Sequence, residues 1–138
     1  MIKRVVLLCW CLVALSACGS KDATSPETAL GVYALQTISN QPLPYTFPGS
    51  PAGFAKTVSS AFFKIEANGV WKHTQNGTNQ SGGATSQYTS DVAGTFTQSG
   101  NTFAFTYLEG STPTTLSGTL NGTKLTVIID AEAWVYSK

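Results

Sequence analysis

Few side chains in this sequence are suited to chemistry. His73 is the sole histidine. A nucleophilic triad would need it beside a serine and a carboxylate, and the chain has no Gly-x-Ser-x-Gly elbow. A zinc site would need further histidine or cysteine ligands. Strand alternation puts His73 on one face with Trp71 and Gln75, and it is expected to be a surface or rim histidine. Glu66, Asp91, Glu109, Asp130 and Glu132 could pair as the two carboxylates of a glycosidase by residue type alone. Asp130 and Glu132 flank a short turn, where solvation is their simpler role. No enzymatic activity, cofactor or metal is expected from this set.

The remaining reactive residues are three cysteines, Cys9, Cys11 and Cys18, all near the start. They lie in or just after the segment MIKR-VVLLCWCLVAL, a basic start followed by an apolar run. That run is shorter than the roughly 20 residues that cross a bilayer. Basic, apolar and then small residues describe a secretory signal peptide over 1–17. Leu15-Ser16-Ala17-Cys18 resembles the bacterial lipobox, with cleavage between Ala17 and Cys18. The resemblance implies diacylglyceryl transfer to the Cys18 thiol, which is the nucleophile, and acylation of the new amine. Several acyl chains on one residue anchor a protein stably, whereas one gives only marginal binding. Gly19, at the position where the enterobacterial sorting rule reads Asp as a retention signal, implies the outer membrane. Cys9 and Cys11 would leave with the signal, so the rest of the chain would hold neither disulfide nor free thiol.

Residues 18–29 read as the lipidated cysteine and a small, polar tether. Residues 30–138 have the length of one domain. From Cys18 onward six lysines face seven carboxylates, with no arginine, for a formal charge of −1. The chain therefore has no basic stripe to bind nucleic acid. Helical periodicity is absent and turn signals recur at short intervals, which predicts an all-β fold. Strands are expected over 31–38, 58–66, 70–75, 88–98, 102–108, 114–120, 124–130 and 132–138. Tyr45 to Phe47 is expected as a short edge strand in a proline-rich crossing, and Asn68-Gly69 is a hairpin turn. Residues 76–86, NGTNQSGGATS, are expected to be a long mobile loop. About eight strands can close a small barrel, here an antiparallel meander.

Three stretches resemble the bacterial lipocalin-like lipoproteins. These are GVYALQTISNQPLPYTF at the start, IEANGVW at the first hairpin, and the pair GTFTQSGNTFAF and GTLNGTKLTV late in the chain. Gly31-Val32-Tyr33 stands where a lipocalin has Gly-x-Trp. In order, they span most of the domain. The resemblance implies a lipocalin-like, roughly eight-stranded barrel.

A barrel could use its aromatic residues in two ways. Tyr33, Phe63, Trp71, Phe103, Phe105, Tyr107, Trp134 and Tyr136, with Phe96, could line a cavity for a small apolar ligand. They could equally fill the core, since rings are the largest fillers and a domain of this size has few apolar residues to spare. Phe54 and Phe62 fit the interior less well and could mark a mouth or contact surface. The sequence thus leaves two readings open. One is a lipid-anchored envelope protein binding a small apolar ligand. The other is a non-catalytic structural or protein-interaction lipoprotein with a solid core.

Overall fold

A computed structural model describes residues 26–48 and 51–138 of the chain. One helical turn, α1 (Pro26–Ala29), precedes ten strands: β1 (Gly31–Ile38), β2 (Gln41–Pro42), β3 (Tyr45–Thr46), β4 (Phe54–Ile65), β5 (Val70–Ser81), β6 (Ala84–Ser99), β7 (Thr102–Glu109), β8 (Thr112–Asn121), β9 (Lys124–Ile129) and β10 (Glu132–Ser137). Each long strand from β4 to β10 pairs antiparallel with the next. β1 closes the sheet, pairing with β4 from Gly31↔Ile65 to Ala34↔Phe62 and with β10 from Ala34↔Ser137 to Ile38↔Trp134. The result is the expected eight-stranded antiparallel barrel, with β2 and β3 as short additions at its edge.

Alternation sorts the side chains as the sequence predicts. Ala61, Phe63 and Ile65 on β4 are buried, as are Phe103 and Phe105 on β7 and Leu125 and Val127 on β9. An irregularity between Leu35 and Thr37 shifts the register of β1 against β10. That extra residue changes the phase, so Ile38 follows Tyr33 and Leu35 into the core where strict alternation would send Thr37. Phe54 and Phe62 are exposed, matching their expected outer placement.

The barrel has two unlike ends. One carries the turns at 66–69, 100–101 and 122–123 and receives the chain from α1. This end is sealed: Ala29 is buried, Tyr33 Oη donates to the Ala29 carbonyl at 2.6 Å, and Lys138 Nζ donates to the Thr28 carbonyl at 2.9 Å. The other end carries the turns at 39–40, 82–83, 110–111 and 130–131.

At this second end the expected mobile loop over 76–86 is corrected. Residues 76–81 complete β5 and residues 84–86 begin β6, joined at Gly82-Gly83, whose φ values are 56° and 86°. Pairing runs unbroken from Val70↔Thr95 to Ser81↔Ala84. The segment looks like a loop in sequence because this arm extends past the core and carries polar residues on both faces. Side chains supply cross-strand bonds instead, such as Thr89 Oγ1 to Asn76 Oδ1 at 2.8 Å. β4 likewise starts at Phe54 rather than Val58, following the arm outward.

The turn between β9 and β10 holds Asp130 and Ala131 at φ 51° and 64°. Left-handed backbone costs a side chain with a Cβ roughly 1–2 kcal/mol, and glycine escapes most of it. Ala131 is exposed, so Ala131→Gly removes no packing. The variant is expected to gain about 0.5–1 kcal/mol in urea unfolding, the net after glycine's extra chain entropy.

Candidate functional site

Of the eight rings singled out in the sequence, Phe63, Trp71, Phe103, Phe105, Tyr107 and Tyr136 come together against one another, and Tyr33 and Trp134 are buried in the same core. Tyr33, Phe63, Trp71, Phe105 and Tyr136 are fully buried, and Phe103 and Trp134 nearly so. Phe63 and Trp71 stack in parallel at 5.0 Å. Phe105 meets Phe63 edge-on at 4.7 Å and stacks on Phe103 at 5.4 Å, while Tyr136 meets Phe63 at 5.6 Å. These are the offset and edge-to-face distances of packed aromatic cores. Tyr107 is only half-buried and borders Trp71 at the open end.

Glycine makes one of these contacts possible. Trp71 Nε1 donates to the Thr95 carbonyl at 3.0 Å, passing over Gly94. A Cβ at Gly94 would collide with the Thr106 carbonyl and lie 2.9 Å from the indole nitrogen.

His73 is a correction. It is 7 % exposed, inside the barrel rather than on its surface or rim. The face shared with Trp71 and Gln75 is the inner one. Its Nε2 lies 3.0 Å from Tyr136 Oη, and the rings of Phe63 and Trp134 flank it at 5.8 Å each. Burial drives its pKa down to about 4 and pushes that of Tyr136 up. A neutral imidazole and a neutral phenol therefore share one hydrogen bond in an apolar setting. Gln75, the next inward residue, donates from Nε2 to Tyr88 Oη. The polar line His73–Gln75–Tyr88 leads from the core to the arm.

Beyond Gly94↔Tyr107, β6 parts from β7, and beyond Gly118↔Val127, β8 parts from β9. The gap is a recess of about 780 Å³ at the open end. Val92, Tyr107, Leu116 and Ile129 give it apolar walls, and Asp91, Glu109 and Asp130 line it too. Burial, then the charges of Glu109 and Asp130, raise the pKa of Tyr107. Among the described residues no three His, Cys, Asp or Glu side chains converge as a metal site would require. The sequence reading missed this recess and the arm beside it. Their signal was the alternation of Thr74, Asn76, Thr78 and Gln80 against Thr85, Gln87 and Thr89, which spaces polar residues as on a two-sided wet hairpin.

Leu15, Ser16, Ala17 and Cys18 lie outside the described residues. What is described defines a closed antiparallel β-barrel, packed with rings, sealed at one end and notched at the other. No protein-family model, no curated protein and no solved structure matches the chain.

Proposed function

We propose that this chain is a lipid-anchored protein of the bacterial cell envelope, of the outer membrane by the residue after Cys18, whose lipocalin-like barrel is a non-catalytic interaction domain rather than a carrier with an internal calyx. The observation that carries this is the stacking of the candidate cavity-lining rings on one another: Phe63, Trp71, Phe105 and Tyr136 occupy the space an internal ligand would need. The buried, neutral state of His73 argues against its use as a base on a substrate in solution. Recognition then falls to the outer surface, the arm and the open recess.

The polarity of the barrel supports the same reading. The chain enters at the sealed end, so a lipid on Cys18 would hold that end toward the membrane and leave the arm and recess facing away.

The anchor is tested by Cys18→Ala in the full chain. The wild type is expected in carbonate-washed membranes with incorporated labelled palmitate, and the variant in the soluble fraction without label. A variant that stays in the washed membrane would overturn the anchor.

A further inference from the structure

The outer edge of β6 is free. From Ala84 to Ala93 this strand pairs with β5 on one side only, and its pairing with β7 begins at Gly94. An unpaired strand edge presents a row of N–H and C=O groups that template another strand, and proteins protect such edges with lysine, proline, bulges or a cover. Two other long free edges at this end are protected. The edge of β4 carries Lys56 and is covered by β3, with Phe47 N–H bonded to the Lys56 carbonyl at 3.0 Å. The loose stretch of β8 carries Pro113. Along β6 the sequence ATSQYTSDVA has no lysine, proline, glycine or bulge, and one charge, Asp91.

This edge is complementary to itself. Antiparallel pairing about a two-fold axis at Tyr88 sets Tyr88 against the second copy's Tyr88, Gln87 against its Thr89, Thr85 against its Asp91, and Ala84 against its Val92. Each pair lies on one face, as side chains directly opposite must. No like charges meet. Asp91 meets a threonine, a partner type it already has within the chain, since Thr74 Oγ1 donates to Asp91 Oδ1 at 2.6 Å. The same register carries the second copy's turn, Gly82-Gly83, alongside Ala93 and up against the Gly94↔Tyr107 pair. That is where β6 parts from β7 and the recess opens. Two glycines flanked by Ser81 and Ala84 make a tip slim enough to enter it.

We propose that the chain forms a two-fold dimer by pairing the β6 edges over Ala84–Val92, each copy's Gly82-Gly83 tip seated in the other's recess. The interface closes on itself and so ends at two copies. Antiparallel strands point the two sealed ends in opposite directions. If the anchor reading holds, on which this step alone rests, the two lipids insert into different, facing membranes.

Sedimentation equilibrium of the full chain in density-matched detergent tests the pairing whether or not the lipid is present. The wild type is expected to be a dimer. Gln87→Lys with Thr89→Lys puts ammonium opposite ammonium at two points on exposed positions, and is expected to weaken association about 100-fold while the far-ultraviolet circular dichroism of the folded barrel is kept. Mixing it with the Gln87→Glu, Thr89→Glu variant is expected to restore a heterodimer. Tyr88→Cys is expected to form a self-linked disulfide under mild oxidation. A monomeric wild type, or a dimer indifferent to the lysine pair, would overturn the proposal. So would a Tyr88→Cys chain that links only to a different protein. Vesicles bearing the lipidated chain are expected to cluster, and to disperse with the lysine variant. A detergent dimer without clustering would leave the edge pairing standing and overturn only the bridging step.

Discussion

Phe63→Ala is expected to cost about 3–5 kcal/mol of folding free energy, read from urea unfolding. Phe63 is fully buried and touches the rings of Trp71, His73, Phe105 and Tyr136. Truncation removes the transfer free energy of the ring and leaves a cavity that four large, mutually packed neighbours cannot collapse into. Small domains are stable by only about 5–15 kcal/mol, so this one change removes a large share of the total. The thermal midpoint should fall by about 15 °C. Phe63→Leu keeps more of the volume and should cost about 1.5 kcal/mol.

The size of that loss separates two uses of the same rings. In a solid barrel each ring is a packing partner, and removal is destabilising in proportion to the hole. In a ligand-holding barrel the wall ring already borders open space, and removing it enlarges the space at little cost to folding. A Phe63→Ala loss below about 1 kcal/mol would therefore favour a calyx, since the cavity term would be missing. A loss in the expected range carries a further consequence. The new hole is apolar and should take up benzene, as dry engineered cavities do, and benzene should recover part of the lost midpoint.

The barrel was legible because its sequence signal and its physical cause coincide. Phe103-Ala104-Phe105 and Leu125-Thr126-Val127 alternate because one face is buried and one is wet, and the structure buries those same residues. Asn68-Gly69 announced its hairpin through the glycine at φ 77°. The arm was not legible for the converse reason. Between Asn76 and Ser86 no side chain joins the apolar core, so no apolar period exists to betray a strand, and the one signal present, alternating Thr, Asn and Gln, is also what a polar loop shows. His73 failed differently. Its face was assigned correctly beside Trp71, whose inward placement already implied burial, but no polar partner for a buried imidazole was visible nearby in the sequence. The hydroxyl that makes its burial tolerable sits on Tyr136, 63 residues away. The choice between cavity and core was also beyond the sequence, because both uses of the rings demand the same residue types at the same spacing.

Acidification from pH 7 to pH 5 is expected to remove about 2 kcal/mol of stability through His73 alone. Burial holds its folded-state pKa down to about 4, against an ordinary value of 6.5. Between those values the unfolded chain takes up a proton that the folded chain refuses. Stability is therefore complete above about pH 7, falls as the pH drops through 6.5, and stops falling through this group below about 4. The groups packed around the imidazole do not reverse the sign. Tyr136 stays neutral throughout, Phe63 and Trp134 carry no charge, and Asp91 on the neighbouring strand opposes the shift more weakly than burial drives it. Glu66, which hydrogen bonding from Lys64 holds below its ordinary range, titrates under this window. The control is His73→Gln, which keeps a side-chain amide to bond Tyr136 Oη but cannot titrate. The wild type should lose about 8 °C of thermal midpoint between pH 7 and pH 5, and the variant should lose little. Equal losses in the two proteins would mean that His73 takes its proton in the folded state as readily as in the unfolded one. The imidazole would then have to reach water, against the burial among Phe63, Trp134 and Tyr136 that leaves it 7 % exposed.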